Sequence, residues 1–218
     1  MHKSLTNLQE INKEIYSKNI NDTKSVNIIA VSKTFQMDKI MPLINDGHIH
    51  FGENKVQEAV NKWTDIKLSK LDLKLHMIGQ LQTNKVKYVI PLFDYIHSLD
   101  NLKLAEKISL EQKKKNRNLK IFIQVNIGNE KQKGGVDVKE LDKFYKICKS
   151  KYELDIIGLM CIPPKENDIK KHFGSMKDLS ASLGLNELSM GMSSDYMDAI
   201  KFGSTYVRIG SKIFGSRA

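Results

Sequence analysis

Three short stretches carry residue types that could do chemistry together. The first is VNIIAVSKT, Val26 to Thr34, where Ile28, Ile29, Ala30 and Val31 run into Ser32-Lys33-Thr34. Such an apolar, partly β-branched run reads as a buried strand. A lysine directly after it sits at the mouth of the fold with its stem against apolar neighbours. Desolvation there lowers an ammonium pKa and frees the amine as a nucleophile or Schiff-base former. By position alone Lys33 also fits an ordinary surface lysine. The second stretch, Ser189 to Ser194, is small and hydroxyl-rich and leads into a helix. Backbone N–H groups and hydroxyls that converge at such a start suit an anion. The third, Arg208-Ile209-Gly210-Ser211, ends an apolar run with a guanidinium, a glycine and a hydroxyl.

These stretches recur within a regular alternation. An amphipathic helix is predicted over Leu5 to Lys18, then the strand ending at Ser32, a helix over Met37 to Asn45 and a strand over His48 to Phe51. A helix over Lys55 to Ile66 is followed by a strand over Lys74 to Ile78, a helix over Thr83 to Val89 and a strand over Asp94 to Ser98. Leu102 to Lys115 reads as a helix. Leu119 to Ile127 reads as a strand, with Ile121, Ile123, Val125 and Ile127 in alternation. Gly128 to Gly135 is a loop, and Val138 to Lys151 a helix. Asp155 to Cys161, Asn186 to Met190 and Thr205 to Ile209 complete the strands, with helices over Ile169 to Ser182 and Ser194 to Lys201 and a short helical tail. Strands that alternate with helices argue a parallel sheet. Eight such units in one domain, residues 1–218, predict a closed α/β (β/α)8 TIM-type barrel with an extra N-terminal helix. No G-x-G-x-x-G follows the first strand, which counts against a dinucleotide fold.

In such a barrel the strands' carboxyl ends build the active face, and the loops after strands seven and eight are the usual phosphate site. The carboxyl ends here bring Lys33, Glu53 and Asn54, His76 and Gly79, His97, Ser98 and Asp100, Gln124 and Asn126, Met160, and the two late stretches to one rim. A phosphate at Ser189–Ser194 and Arg208–Ser211, with an amine at Lys33, would hold opposite ends of one phosphorylated aldehyde. Pyridoxal 5′-phosphate is the common cofactor of that shape.

Composition narrows the classes. The chain has 218 residues, 40% hydrophobic and 28% charged, enough for one sizeable core. No apolar run approaches the roughly 18–20 residues of a membrane span. The N-terminus has helical spacing rather than the apolar core of a signal peptide. Cys148 and Cys161 are far apart and make no metal or redox pattern, so free thiols in the cytoplasm are expected. A net charge of +10 raises nucleic acid as a partner. The lysines are scattered, however. The densest run, Lys113 to Arg117, ends a predicted helix, where cations suit the dipole, and no aromatics interleave with it. Specific nucleic-acid binding and a metal site are therefore not expected.

Several runs then acquire a family likeness. AVSKT (Ala30 to Thr34), FGENKVQEA (Phe51 to Ala59), IGQLQTNK (Ile78 to Lys85), HSLD (His97 to Asp100), LSMGMSSDYMDAI (Leu188 to Ile200) and GSTYVRIGSKIFGSR (Gly203 to Arg217) resemble the YggS/PROSC family of pyridoxal-phosphate-binding proteins. The resemblance covers nearly the whole chain in the family's order. It implies fold type III, the alanine racemase barrel without its β-rich second domain, and a role in vitamin B6 homeostasis. It makes Lys33 the Schiff-base lysine and puts Arg208 opposite the pyridine nitrogen, which would keep that nitrogen unprotonated. It gives the phosphate to the serine loop, with Ser193 and Ser194 favoured, and to Gly210 and Ser211. Asn54 would contact the cofactor from the same rim. Serine stands at Ser211 where the family often has threonine, and Phe35 where a basic residue is frequent.

Two functions follow: a carrier of pyridoxal phosphate serving apo-enzymes, or a small amino-acid racemase. Racemisation needs a base on each face of the carbanion. Lys33 supplies one, and no tyrosine is placed by sequence to supply the other, although Tyr196 and Tyr206 stay open. A carrier, monomeric and with little catalysis, is the favoured expectation. His76 and His97 read as buried, hydrogen-bonded histidines. Glu53 reads as a structural partner, Asp195 as a first-turn helix residue, Met160, Met190 and Met192 as packing near the cofactor, and Gly134-Gly135 as an exposed turn.

Overall fold

The computed structural model describes residues 2–17, 26–130, 132, 134–164 and 168–216. Parallel strands β1 (Asn27–Val31), β2 (His50–Glu53), β3 (Lys74–Met77), β4 (Tyr95–Leu99), β5 (Lys120–Gln124), β6 (Ile156–Met160), β7 (Glu187–Ser189) and β8 (Tyr206–Ile209) pair in sequence order, and β8 pairs back to β1. The barrel is therefore closed, as expected. Helix α1 (Lys3–Ser17) precedes it. Outside the strands run α2 (Met37–Asn45), α3 (Val56–Ser69), α4 (Val86–Leu92), α5 (Leu102–Lys115), α6 (Leu141–Ser150), α7 (Ile169–Ser182), α8 (Tyr196–Lys201) and α9 (Ser211–Phe214). The end expected for α1, Lys18, lies outside the described residues.

Strand side chains alternate between two faces, and this parity builds two cores. Ile28 and Ala30, Phe51, Leu75 and Met77, Ile121 and Ile123, and Val207 and Ile209 pack against the helices. Ile29, Tyr95, Phe122, Met160 and Tyr206 fill the barrel interior. The same parity carried upward delivers Val31 and Lys33, Gln124 and Asn126, and Arg208 and Gly210 to the open end.

Four expectations are corrected here. β2 begins at His50, not His48, and continues through Gly52 and Glu53. β5 ends at Gln124, three residues short of the alternating run; Val125 makes one isolated bridge to Val136. α8 begins at Tyr196, with Asp195 as its N-cap rather than in its first turn. His76 and His97 do not reach the rim. They lie fully buried within the barrel, hydrogen-bonded to one another at 2.9 Å, which keeps the expected character but not the place.

Candidate functional site

One cleft of about 860 Å³ opens at the strands' carboxyl ends. Lys33, Asn54, Ser193, Ser194, Arg208, Gly210 and Ser211 all line it, together with Val31, Phe35, Asp100, Gln124, Asn126 and Met192. The size lies within the ordinary range for small-molecule sites.

Lys33 is half-buried, and the backbone on either side of it is fixed from behind. Ser32 Oγ donates to Glu53 Oε1 at 2.8 Å, and Trp63 Nε1 donates to the same oxygen at 3.0 Å. Lys62 Nζ donates to Glu53 Oε1, Glu58 Oε1 and the Ser32 carbonyl, each at 3.0 Å. Thr34 N–H donates to Glu58 Oε1 at 2.6 Å. Burial alone would raise the Glu58 carboxyl; the Thr34 N–H and the Lys62 ammonium outweigh it and hold the group below its usual range. Thr34 itself has φ +67°, the left-handed region that a β-branched residue rarely enters. Strain of this kind gathers at functional sites and persists where the surroundings over-determine it. Glu53 thus has the structural role expected of it. The partners Glu58, Lys62 and Trp63 escaped sequence reasoning, because on α3 they read as an ordinary amphipathic face.

On β8, the strand paired to β1, lies Arg208, buried at 5% exposure. Its Nη1 donates to Ser189 O and Ser189 Oγ, both at 2.7 Å, and Nη2 to Cys161 O at 2.9 Å. Burial pushes the guanidinium pKa down, opposed by Cys161 and Asp195, but from so high a value that it stays charged. The carboxylate partner that would make Arg208 purely structural is not found among the described residues. The Nε–H has no acceptor among them either, and the side chain lines the cleft.

The loop after β7 turns at Gly191, φ +90°, whose backbone carbonyl accepts from Arg208 N at 3.0 Å. Asp195 accepts from Met192 N and braces this loop. Lys212 N–H donates to Ser193 Oγ at 3.4 Å, joining it to the loop after β8. Ser193 and Ser194 from one loop and Gly210 and Ser211 from the other line the cleft.

Other expectations separate. Ser189 does not point into the anion loop; its hydroxyl faces inward, to Arg208 and His97. Of the methionines only Met192 lines the cleft, while Met160 and Met190 are buried in the two cores. Tyr206 lies in the interior core and Tyr196 bonds Glu14 and Lys212, so neither lines the cleft. Gly134 is exposed as expected, but it borders the cleft, and its carbonyl accepts from Gln124 Nε2 at 2.9 Å. Phe35 stacks on Phe214 at 5.0 Å and contributes an apolar wall. Ile162, two residues beyond β6, also escaped prediction.

An amine, an arginine and a serine- and glycine-rich end in one cleft fit a phosphorylated aromatic aldehyde. Asn54 adds a buried Oδ1 with no partner. Comparison with known proteins agrees. Residues 7–218 match the family model for the alanine racemase N-terminal domain. A pyridoxal phosphate homeostasis protein of Aquifex aeolicus is 39% identical over 199 residues, covering 87% of this chain and 86% of the relative. One of Escherichia coli K12 is 35% identical over 203 residues, covering 89% and 87%. The solved structure of PipY from Synechococcus elongatus PCC7942 with PLP bound has a TM-score of 0.82 at 34% identity, covering 93% of this chain and 99% of that one.

Proposed function

Because the chain belongs to the alanine racemase N-terminal-domain family, and within it to the pyridoxal phosphate homeostasis proteins, we propose that its cleft holds pyridoxal 5′-phosphate. It holds the cofactor for release, with little or no catalysis. When bound, the cofactor supplies an aldehyde that condenses with amines and a pyridine ring that withdraws electrons. Lys33 provides the amine that anchors the aldehyde. Arg208 donates through its Nε–H to the pyridine nitrogen and keeps it unprotonated, which weakens the ring as an electron sink. Ser193, Ser194, Gly210 and Ser211 take the phosphate, and Asn54 contacts the cofactor from the β2 side.

The observation that carries this reading is the convergence of Lys33, Arg208 and both late loops on one cleft. Release rather than racemisation is favoured by what faces Lys33. Among the described residues lining the cleft, no tyrosine or histidine stands ready as a second base. The reading extends to a monomer of one domain, working in the cytoplasm and serving apo forms of pyridoxal-phosphate enzymes. Two buried free thiols, Cys148 and Cys161, suit a reducing compartment.

The test is a visible absorbance spectrum of protein loaded with pyridoxal phosphate, before and after borohydride, followed by peptide mass mapping. A visible band that borohydride converts to a pyridoxyl adduct on Lys33, with negligible turnover of L- or D-alanine, is the expected result. A protein that stays colourless under excess cofactor overturns the binding reading, and rapid alanine racemisation overturns the carrier.

A further inference from the structure

Among the described residues, Arg208 is a buried cation whose charge is met by dipoles instead of a carboxylate, and those dipoles continue through the barrel. Ser189 Oγ lies 2.8 Å from His97 Nδ1. His97 Nε2 lies 2.9 Å from His76 Nδ1, and His76 Nε2 lies 2.9 Å from His50 Nδ1. Each imidazole turns Nδ1 toward Arg208 and Nε2 away from it. Ser189, His76 and His97 are fully buried.

The direction of every bond in this chain follows from its first member. A guanidinium only donates, so Ser189 Oγ accepts from Arg208 and its single hydrogen is left for His97 Nδ1. His97 Nδ1 is then an acceptor, and a neutral imidazole has one N–H, which must be on Nε2. That N–H donates to His76 Nδ1, and the same step repeats at His50. Ring stacking fixes the planes: His76 lies on Tyr95 at 4.2 Å and 14°, His97 on Phe122 at 4.3 Å and 23°.

We infer that Ser189, His97, His76 and His50 are positioning residues for Arg208, forming a one-way hydrogen-bond chain that holds its guanidinium as a donor toward the cleft. Chains of hydrogen bonds polarise one another, so each member strengthens the acceptor that Ser189 presents. A carboxylate in that place would neutralise the guanidinium. The chain stabilises it and leaves its full charge facing the cleft. The effect on the cofactor rests on the proposed placement of the pyridine nitrogen at Arg208; the direction of the chain does not.

Two measurements separate those parts. The first is a long-range proton–nitrogen NMR spectrum of 15N-histidine-labelled full chain at neutral pH, without cofactor. Neutral Nε2–H tautomers at His50, His76 and His97 are expected. An Nδ1–H or doubly protonated ring at His97 or His76 overturns the chain. This measurement stands even if the protein never binds pyridoxal phosphate. The second compares Ser189→Ala and Ser189→Thr in the loaded protein. Removal of the hydroxyl is expected to speed loss of pyridoxal phosphate on the order of tenfold, the scale of one hydrogen bond to a charged group. It is also expected to shift the visible absorbance maximum, and Ser189→Thr is expected to restore both. Parent-like spectrum and release rate in a folded S189A overturn the positioning role. If S189A does not fold, the same two readings on His97→Asn decide.

Discussion

Glu53 places three donors on one oxygen and leaves its second oxygen buried with no partner. A carboxylate so arranged is held for its charge and position, because a neutral acceptor would satisfy Ser32 and Trp63 without answering Lys62. The pair Glu53–Lys62 is buried, at 0% and 10% side-chain exposure. Removing one member of such a pair strands the other, which costs about 3–5 kcal/mol. Glu53→Ala is therefore expected to lose about that much in urea unfolding, with weaker borohydride trapping at Lys33 under conditions where the variant remains folded. A loss under about 1 kcal/mol, the scale of an exposed pair, would show that Lys62 is carried by Glu58 and the Ser32 carbonyl alone. The sequence offered Glu53 as a structural group but not its partners, since contacts nine and ten residues away cross from a strand to a helix and leave no local pattern.

At the level of elements, the loop after β2 and the loop after β3 meet closely enough that the site depends on a missing side chain. A Cβ added to Gly79 would lie 2.3 Å from the Asn54 backbone oxygen. Backbone, unlike a flexible side chain, cannot swing aside, so Gly79→Ala must displace the Asn54 loop. Overpacking of this kind costs about 1–3 kcal/mol. The expected outcome is a folded barrel by circular dichroism with weaker binding of pyridoxal phosphate in a fluorescence titration; parent-like affinity would remove Asn54 from the site. The order of these elements was legible because strand and helix periods differ, and α2, α5 and α7 were read to the residue. Boundaries failed where packing overrules pattern. β5 runs on in the sequence as Val125 and Ile127, yet the chain leaves the barrel at Gln124 and turns both amide side chains, Gln124 and Asn126, to the cleft. The residues that line the cleft were legible because they cluster at strand ends. The histidines were assigned to that same rim, because their depth in the barrel depends on register, and register is invisible to single-strand alternation.

For the molecule as a whole, the barrel interior is a store of neutral imidazoles, and this sets its response to acid. Burial drives His48 and His50 down to about 4 and holds His76 and His97 well below their ordinary value of 6.5. Neighbours on several elements add to this: Arg208 from β8 against His97, Lys67 from α3 against His76, Lys74 from β3 against His50, and the imidazoles against one another. Asp46 at His48 and Asp94 at His50 oppose it without prevailing. The folded pKa values lie below those of the unfolded chain, so between pH 6.5 and about 4 the unfolded chain binds more protons. Stability is then full above 6.5 and declines as pH falls toward 4 and below. Each fully protected imidazole adds a slope of up to about 1.4 kcal/mol per pH unit. Glu58 falls in the same direction but only below its ordinary 4.5, so the interval from pH 6.5 to 5 isolates the histidines. Urea unfolding without cofactor across that interval should show a steady loss of stability, and His50→Gln should make the decline shallower. Constant stability from pH 7 to 5 would mean that the imidazoles titrate alike in both states, and the interior would have to be open to water.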